Sequence, residues 1–331
     1  LSGVTSTIVQ LIPEQARSIG IATLGPGLPP HLPKVSWRQA PALLRRPARR
    51  PFRIWHARRN VEMLAGLLLK YGLRAPLRPV FTSAAQRPHK PFTRWLIRRM
   101  DAVVATSGRS GSFLKVKHRV IMHGIDTERF FPPREGEDEW TASGLPGRYG
   151  IGCFGRIRHQ KGTDLFVNAM IALLPRYPDW TAIVLGRVTP EHRGFADSLR
   201  QRIKEAGLQH RIVFLGEVPD IKPWYRRISL CVAPSRNEGF GLTPLEAMAS
   251  ATAVVASDAG AYAEMIEKGV GKVVPAGNGA ALERAIESYM KDPALALSEG
   301  GVARAHVTAN FALEREAAAL REVYEELWSR S

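Results

Sequence analysis

The sequence predicts an α/β protein built from two doubly wound parallel sheets. Short apolar segments of strand type alternate with helical segments along nearly the whole chain, an order that favours parallel sheets covered by helices. The alternation starts a second time at Tyr149, and 331 residues suit two domains better than one. We expect an N-terminal domain at 1–147, a second domain at 148–306, and a C-terminal helix at about 307–331 that packs back on the first.

The elements follow from local apolar periodicity and turn residues. In the first half, helices are expected at about 5–15, 57–70 and 91–99, and strands at about 18–24, 52–56, 80–83, 102–106 and 120–122. Prolines and an acidic run at 131–148 are typical of a linker. In the second half, strands are expected near 149–154, 181–185, 212–215, 230–233, 253–257 and 272–274, and an amphipathic helix at 311–328.

The positive charge lies almost wholly in the first half. Residues 1–148 hold 25 Lys and Arg against 9 Asp and Glu, a net charge of +16, whereas residues 149–331 hold 22 against 21, a net charge of +1. So basic a surface suits nucleic acid, an anionic membrane or a phosphorylated acceptor. No apolar run approaches the roughly 20 residues that span a bilayer. The two cysteines lie in strand-like apolar segments and favour buried thiols in a reducing compartment.

The stretch from Glu238 to Glu246 carries the most chemistry, because two carboxylates bracket a glycine loop and the start of a helix. Gly239 and Gly241 lack a Cβ and let the backbone approach a ligand closely. Pro244 suits the first turn of a helix, where its missing N–H costs nothing. A phosphate flanked by hydroxyl groups, each met by one carboxylate, describes a sugar nucleotide.

The start of this helix allows two interpretations. The N–H groups of Gly241, Leu242 and Thr243 would face a ligand in front of the helix, where an anion is favoured. The same residues also fit a capping box with Thr243 as N-cap and Glu246 three residues later, which needs no ligand. Taken alone, the motif does not decide between them.

Three further patches follow strand ends in the second half. Gly155 and Arg156, with Lys161 soon after, place two cations where they could neutralise a diphosphate, although an exposed loop with ordinary surface charges explains them too. The turn that contains Val218 could line the edge of a nucleobase or be a simple turn. A loop around Asp258 precedes another helix, and by itself it does not indicate a ligand site.

Together, in this order and spacing, these patches resemble the retaining glycosyltransferases of family 4. Their fold is GT-B, in which two Rossmann-like doubly wound parallel-sheet domains face a cleft. The match covers nearly all of the second half. His123-Gly-Ile-Asp126 looks like the segment that closes the family's first domain, with His in place of the usual Asn. Ser2-Gly3 looks like the family's glycine turn before the first helix, so we expect that the preceding first strand is missing from this sequence.

The resemblance implies roles for the motif residues. Arg156 and Lys161 would bind the donor diphosphate and stabilise the leaving group, Glu238 would hold the hydroxyls of the donor sugar, and Glu246 would bind the ribose. No metal and no cofactor beyond the nucleotide-sugar substrate is expected, because the cations and the helix N-terminus take the place of Mg²⁺. The implied donor-binding residues are Gly3, Gly155, Arg156, Lys161, Val218, Glu238, Gly239, Phe240, Gly241, Leu242, Thr243 and Glu246, and the implied catalytic residues are His56, Arg156, Lys161 and Glu238.

Acceptor-side candidates lie at strand ends of the first half. The family often carries a His that contacts the sugar and the acceptor where His56 stands, although a lone His is more often structural. Thr82, Ser83 and Arg87 occupy another strand-end loop. The predicted acceptor-side set is His56, Arg58, Arg59, Ser83 and Arg87.

By overall resemblance, including the Arg-rich first half, the chain looks like the bacterial lipopolysaccharide core mannosyltransferases. This implies transfer of mannose from GDP-mannose onto an anionic lipid-linked acceptor by an enzyme at the cytoplasmic, inner face of the bacterial inner membrane, bound peripherally to that anionic surface. One alternative is a UDP-sugar-dependent transferase of another envelope glycan, and another is a catalytically dead scaffold. A nucleic-acid-binding protein is a third, but the chain has no aromatic-studded or zinc-bearing reader motif, so no nucleic acid is expected.

Overall fold

A computed structural model describes residues 3–330, and the chain divides into two compact units. The first unit holds the residues up to Gly124 together with the segment from Phe311 onwards, and the second runs from Ile125 to Asn310. Each unit has a parallel sheet of its own, which confirms the predicted α/β class. No helix within residues 3–330 is long and apolar enough to cross a membrane.

The described part of the first unit contains four parallel strands in the order β1-β2-β3-β4. Their bounds are β1 Arg53–Ala57, β2 Leu77–Ser83, β3 Ala102–Ala105 and β4 Arg119–Val120. The helices are α1 Gly3–Ala16, α2 Asn60–Leu67, α3 Pro91–Ile97 and α4 Gly108–Ser112, and the last helix of the chain, Leu313–Ser329, also belongs to this unit. A π-helical turn at Leu68–Gly72 extends α2, and a 3₁₀ segment runs over Trp37–Leu44.

The strand expected at 18–24 does not form. Only Thr23 makes a single parallel bridge, with Lys34, and its N–H donates to the carbonyl of Pro33 at 2.7 Å. Gly25, with φ +142°, and the run of prolines that follows cannot continue a ladder, since proline has no N–H to donate. Among the described residues, the run at 19–24 therefore forms no strand and pairs only through Thr23.

The last helix is held to the first unit through the segment that begins at His123. Nδ1 of His123 and the N–H of Gly124 lie 2.8 Å from the two carboxylate oxygens of Glu316. Burial alone would raise the pKa of Glu316, but the charge and hydrogen bond of His123, followed by Arg58 and the Gly124 N–H, hold it below its usual value. A Cβ on Gly124 would lie 2.7 Å from the Cα of Leu313, so only glycine allows this approach.

The second unit contains six parallel strands in the order β10-β9-β8-β5-β6-β7. Their bounds are β5 Tyr149–Phe154, β6 Trp180–Leu185, β7 Ile212–Gly216, β8 Leu230–Ala233, β9 Ala253–Ser257 and β10 Lys272–Val274. The helices are α5 Thr163–Leu173, α6 Arg193–Glu205, α7 Lys222–Arg227, α8 Thr243–Ala249, α9 Tyr262–Met265, α10 Gly279–Lys291 and α11 Pro293–Asn310, so the terminal helix Leu313–Ser329 is α12. Strands β6, β8 and β9 are buried along their whole length, as in a sheet covered on both faces.

The segment expected to be a linker, at 131–148, packs on the second unit instead. Asp138 pairs with Arg226 at 2.8 Å, and the two side chains are only 5% and 11% exposed. The ring of Trp140 lies where a Cβ on Gly150 would stand. The units therefore divide in sequence at Gly124 and Ile125 rather than at residue 147, because these buried contacts hold the segment to the second unit.

Candidate active site

The switch point of the second sheet lies between β5 and β8. From β5 the chain continues to β6 and β7 on one side and then crosses to β8 on the other. The loops after two such strands diverge and leave a crevice at their carboxyl ends, which is where parallel sheets bind ligands. The two loops are joined here, since the N–H of Arg236 donates to the carbonyl of Gln160 at 2.8 Å and the guanidinium of Arg236 donates to both carboxylate oxygens of Asp164 at 2.7 Å.

Lys161 and Glu238 form a close ion pair where these loops meet. Nζ of Lys161 donates to Oε2 of Glu238, and the two side chains are only 19% and 15% exposed. The hydroxyls of Tyr262 and Ser235 lie 3.4 and 3.5 Å from the same oxygen, while Oε1 accepts from the N–H of Gly239 at 3.2 Å. The structure thus brings together the residues predicted to meet the diphosphate and the donor sugar, and it fixes the carboxylate from several sides.

Gly241 is the position in this loop that requires glycine. Its φ is +86°, and a Cβ there would lie 2.4 Å from the ring of Tyr262 and 2.7 Å from Cγ of Glu238. The side chain of Phe240 is buried and anchors the loop beside it. Glycine at 241 therefore lets the backbone turn tightly around the Glu238 side chain.

Glu246 does not cap its helix, so the capping-box interpretation is wrong. The N-cap is Leu242, with helical dihedral angles and no side-chain hydrogen bond, and Thr243 is already the first helical residue. Oε2 of Glu246 accepts a 2.6 Å hydrogen bond from the fully buried hydroxyl-bearing side chain of Tyr225. Burial raises the pKa of Glu246, while the Tyr225 hydroxyl and the charge of Lys161 act in the opposite direction.

A third cation stands in the loop after β5. Arg156 is exposed at the end of the strand, and Arg158, two residues on, is partly buried. Nε of Arg158 is buried and has no hydrogen-bond partner within residues 3–330. Burial lowers the pKa of Arg158, the charge of Arg156 adds to this, and the charge of Glu238 acts against it. Sequence reasoning missed Arg158 because it stands outside the spacing of the family motif.

Three glycines with positive φ follow one another across the carboxyl ends of β5, β6 and β7. These are Gly155, Gly186 and Gly216, with φ of +126°, +149° and +73°. A Cβ on Gly186 would lie 1.9 Å from the carbonyl oxygen of Gly155. Sequence reasoning singled out Gly155 but missed Gly186, whose requirement comes from the neighbouring strand. Val218 lies in the loop after β7 and is partly buried.

In the first unit, both ring nitrogens of His56 are engaged. Nδ1 lies 2.5 Å from the hydroxyl of Tyr324 and Nε2 lies 2.7 Å from the hydroxyl of Thr82. Burial, together with the positive charge of Arg58, lowers the pKa of His56 well below its usual value. The ring is therefore neutral at pH 7, and these hydrogen bonds link β1 and β2 to α12.

The other candidates of the first unit occupy mixed environments. Ser83 is buried, and its hydroxyl lies 3.2 Å from Nε2 of His89. Arg87 is exposed, while the guanidinium of Arg59 donates to the hydroxyl of Thr5 at 3.2 Å. Gly3 is the first residue of α1. Ser2, the other half of the expected glycine turn, lies outside the described residues.

The fold and the site together define a GT-B glycosyltransferase. The family model described as "Glycosyl transferases group 1" matches residues 148–292. The solved structure of HepE from Anabaena in complex with UDP and glucose is 20% identical and shares the fold, with a TM-score of 0.82 over 98% of this chain and 96% of that one.

Two curated relatives are similar over the full length. The lipopolysaccharide core biosynthesis mannosyltransferase LpcC of Rhizobium leguminosarum bv. viciae is 66% identical over 99% of this chain and 94% of its own. The lipopolysaccharide core biosynthesis mannosyltransferase LpsB of Rhizobium meliloti is 54% identical over 99% of this chain and 95% of its own. The chain belongs to the family of these group 1 glycosyltransferases.

Proposed function

We propose that this chain transfers mannose from GDP-mannose onto the core of lipopolysaccharide, with retention at the anomeric carbon. The observation that carries the proposal is the 66% identity, over 99% of the chain, to a protein named as a lipopolysaccharide core mannosyltransferase. The site supports it, because a cationic loop and two carboxylates at a sheet switch point suit a sugar nucleotide.

The donor end of the reaction is assigned to the loops after β5 and β8. Lys161 and Arg156 would take the diphosphate, Glu238 the hydroxyls of the sugar, and Glu246 the ribose. Lys161 and Glu238 neutralise each other in the structure. A bound donor would offer its diphosphate to Lys161 and its sugar hydroxyls to Glu238, so neither charge would be left unpaired. Because α8 has only seven residues, we assign the stabilisation of the leaving phosphate to the side-chain cations rather than to the helix dipole.

The proposed reaction breaks the bond between the anomeric carbon and the diphosphate oxygen. The acceptor hydroxyl bonds to the same face of that carbon, and its proton passes to the departing phosphate oxygen. Negative charge grows on the diphosphate during this step, and fixed cations beside it lower the barrier. In this proposal Arg156 and Lys161 do the work that Mg²⁺ does elsewhere, so the reaction needs no metal. The acceptor-side set around His56 would contact the incoming glycan.

The acceptor and the place of action follow from charge. The first unit carries 25 Lys and Arg against 8 Asp and Glu, and the second carries 22 of each, so the whole net charge of +17 belongs to the first unit. Phosphorylated core glycans and anionic lipids are attracted by such a surface. We therefore propose that the first unit meets an anionic lipid-linked acceptor at the inner face of the bacterial inner membrane.

A donor comparison tests the proposal. GDP-mannose and UDP-glucose are compared for thermal stabilisation of the purified chain and for transfer to a Kdo-containing lipid A acceptor. The proposal predicts stabilisation by GDP-mannose and a product heavier by one hexose. If only UDP-glucose stabilises the chain and serves as donor, the proposal is wrong and the UDP-sugar-dependent transferase replaces it.

A further inference from the structure

The first unit exposes a stripe of large apolar side chains along α2 and the π-helical turn that extends it. Val61 is 71% exposed and Leu68 is 60% exposed, although both are aliphatic. The spacing follows the helical period, so these side chains share one face. The exposed members of the stripe are Val61, Leu64, Leu68 and Tyr71, and Leu73 is exposed just beyond its end.

A second exposed apolar face lies on α3. Phe92 and Trp95 are 55% and 44% exposed, and their rings stack at 6.0 Å between centroids. The guanidinium of Arg99 lies 3.9 Å from the centre of the Trp95 ring. Aromatic rings beside arginine are typical of surfaces that meet the interface of a lipid bilayer.

The two faces start side by side. Nδ2 of Asn60, at the start of α2, donates to the hydroxyl of Thr93 in α3 at 2.8 Å. Val61 follows Asn60 and Phe92 precedes Thr93, so this hydrogen bond places the exposed stripes next to each other.

The core does not account for these side chains. The opposite faces of the two helices are buried in one apolar cluster that includes Met63, Leu67, Leu96 and Ile97. A monomeric surface rarely presents so many contiguous large apolar groups unless it binds something. The stripes therefore lie on the outer faces of helices whose inner faces already pack in the core.

The charge around these stripes is strongly positive, which suits an anionic partner. Residues 58–101 hold 10 Lys and Arg against 2 Asp and Glu. Both acids are engaged within the unit, since Glu62 accepts from the N–H of Arg58 at 2.7 Å and Asp101 pairs with Lys70 at 2.6 Å. Exposed cations flank the aromatic pair at Lys90, Arg94, Arg98 and Arg99.

We propose that this face, formed by the exposed side chains of α2, its π-helical extension and α3, docks on an anionic lipid bilayer. The apolar side chains would enter the boundary between headgroups and acyl chains while the flanking cations meet anionic headgroups. A protein partner would need acidic groups matched to this face, whereas an anionic bilayer offers apolar depth and negative charge together. The inference rests on the proposed function, since a lipid-linked acceptor places the enzyme at such a surface.

Cosedimentation with vesicles tests the docking face. Wild-type chain is mixed with vesicles of phosphatidylglycerol and phosphatidylcholine in equal parts, or with phosphatidylcholine alone. The variant L68S/W95S removes one apolar side chain from each stripe. The matched control L297S/V302S makes the same kind of change at two exposed apolar positions of α11 in the other unit. Thermal unfolding of both variants checks that each one folds.

Docking predicts that wild type and control bind the anionic vesicles and bind the neutral ones little. L68S/W95S should bind the anionic vesicles at least about tenfold more weakly than wild type. Equal binding by both variants, or equal binding to both vesicle types, overturns the proposal. It is also overturned if light scattering shows that wild type is a dimer which L68S/W95S dissociates, with no change in vesicle binding.

A soluble acceptor separates this inference from the proposed function. With delipidated core oligosaccharide as acceptor, L68S/W95S should transfer sugar as fast as wild type, because the change touches only the docking step. Vesicle binding without transfer from any sugar nucleotide would reject the proposed function and keep the docking face. If the chain transfers sugar but L68S/W95S binds vesicles as well as wild type does, the docking face is rejected and the proposed function is kept.

Discussion

Replacing Lys161 by Met separates a catalytic role of the Lys161–Glu238 pair from a structural one. Met keeps most of the side-chain volume and removes the charge. Breaking a fully buried ion pair costs about 3–5 kcal/mol of folding free energy. Both side chains here keep some contact with water, at 19% and 15% exposure, so we expect about 1–2 kcal/mol.

A loss of that size leaves the protein folded. A domain with a free energy of unfolding of about 5 kcal/mol would retain about 3 kcal/mol and stay more than about 99% folded. Removing a group that stabilises charge in a transition state lowers kcat by about 100- to 1000-fold. The expected loss of activity is therefore far larger than unfolding could produce.

The assay measures steady-state transfer from the sugar nucleotide beside the thermal midpoint of unfolding. The matched control is K70M, because Lys70 pairs with Asp101 at 2.6 Å in the first unit and is about as buried. We expect K70M to lose no more stability than K161M, because Asp101 keeps its 2.8 Å ion pair with Arg78, and we expect only K161M to lose kcat. Equal kcat in both variants, or a kcat loss in K161M that follows the unfolded fraction, would show that Lys161 has no catalytic role.

The same contacts support three further predictions. Tyr225→Phe removes the 2.6 Å hydrogen bond to Glu246, so burial should raise the pKa of Glu246 further and move the acid limb of kcat/KM to higher pH, as a pH–rate profile would show. Gly241→Ala forces a side chain into φ +86° and within 2.4 Å of an aromatic ring, so we expect a loss of about 2 kcal/mol in denaturant unfolding and at least about tenfold in transfer. Glu316→Gln weakens the buried contact with His123 and should cost about 1–3 kcal/mol at neutral pH. Because the folded pKa of Glu316 is lowered, its contribution is present above the unfolded pKa and is lost as pH falls, so unfolding measured over a pH series should show variant and wild type converging in acid.

The tyrosine prediction has a matched control in the same unit. The hydroxyl of Tyr177 donates to Glu287 at 2.9 Å, and Glu287 lies on α10, outside the loops of the site. Tyr177→Phe should leave the pH profile of transfer unchanged. A profile that moves equally in both variants would mean that Glu246 does not set the acid limb.

The strands were predictable from sequence where they are buried on both faces. Segments such as Leu230–Ala233 and Ala253–Ser257 are unbroken apolar runs because helices cover both sides of the sheet. The run at 18–24 is also mostly apolar, but within residues 3–330 it pairs only through the single bridge of Thr23 with Lys34. Pairing depends on the rest of the fold, which no local pattern reports.

The ion pair of the site was predictable from sequence, whereas the partner of Glu246 and the burial of Arg158 were not. Lys161 and Glu238 stand in motifs whose spacing is fixed by the loops after β5 and β8, so sequence places them together. The partner of Glu246 is Tyr225, whose position depends on how α7 packs against α8. Arg158 is a charge in a loop until the fold buries its Nε. The roles of His56 and Val218 remain predictions.

Product analysis after incubation with GDP-mannose and a Kdo-containing lipid A acceptor is the decisive test of the proposed reaction. Mass and nuclear magnetic resonance spectra identify the sugar added and its anomeric configuration. We expect one mannose in the same anomeric configuration as in the donor, formed by wild type and nearly absent with K161M. An inverted linkage, or no product from a folded chain that GDP-mannose stabilises, would rule the proposed reaction out.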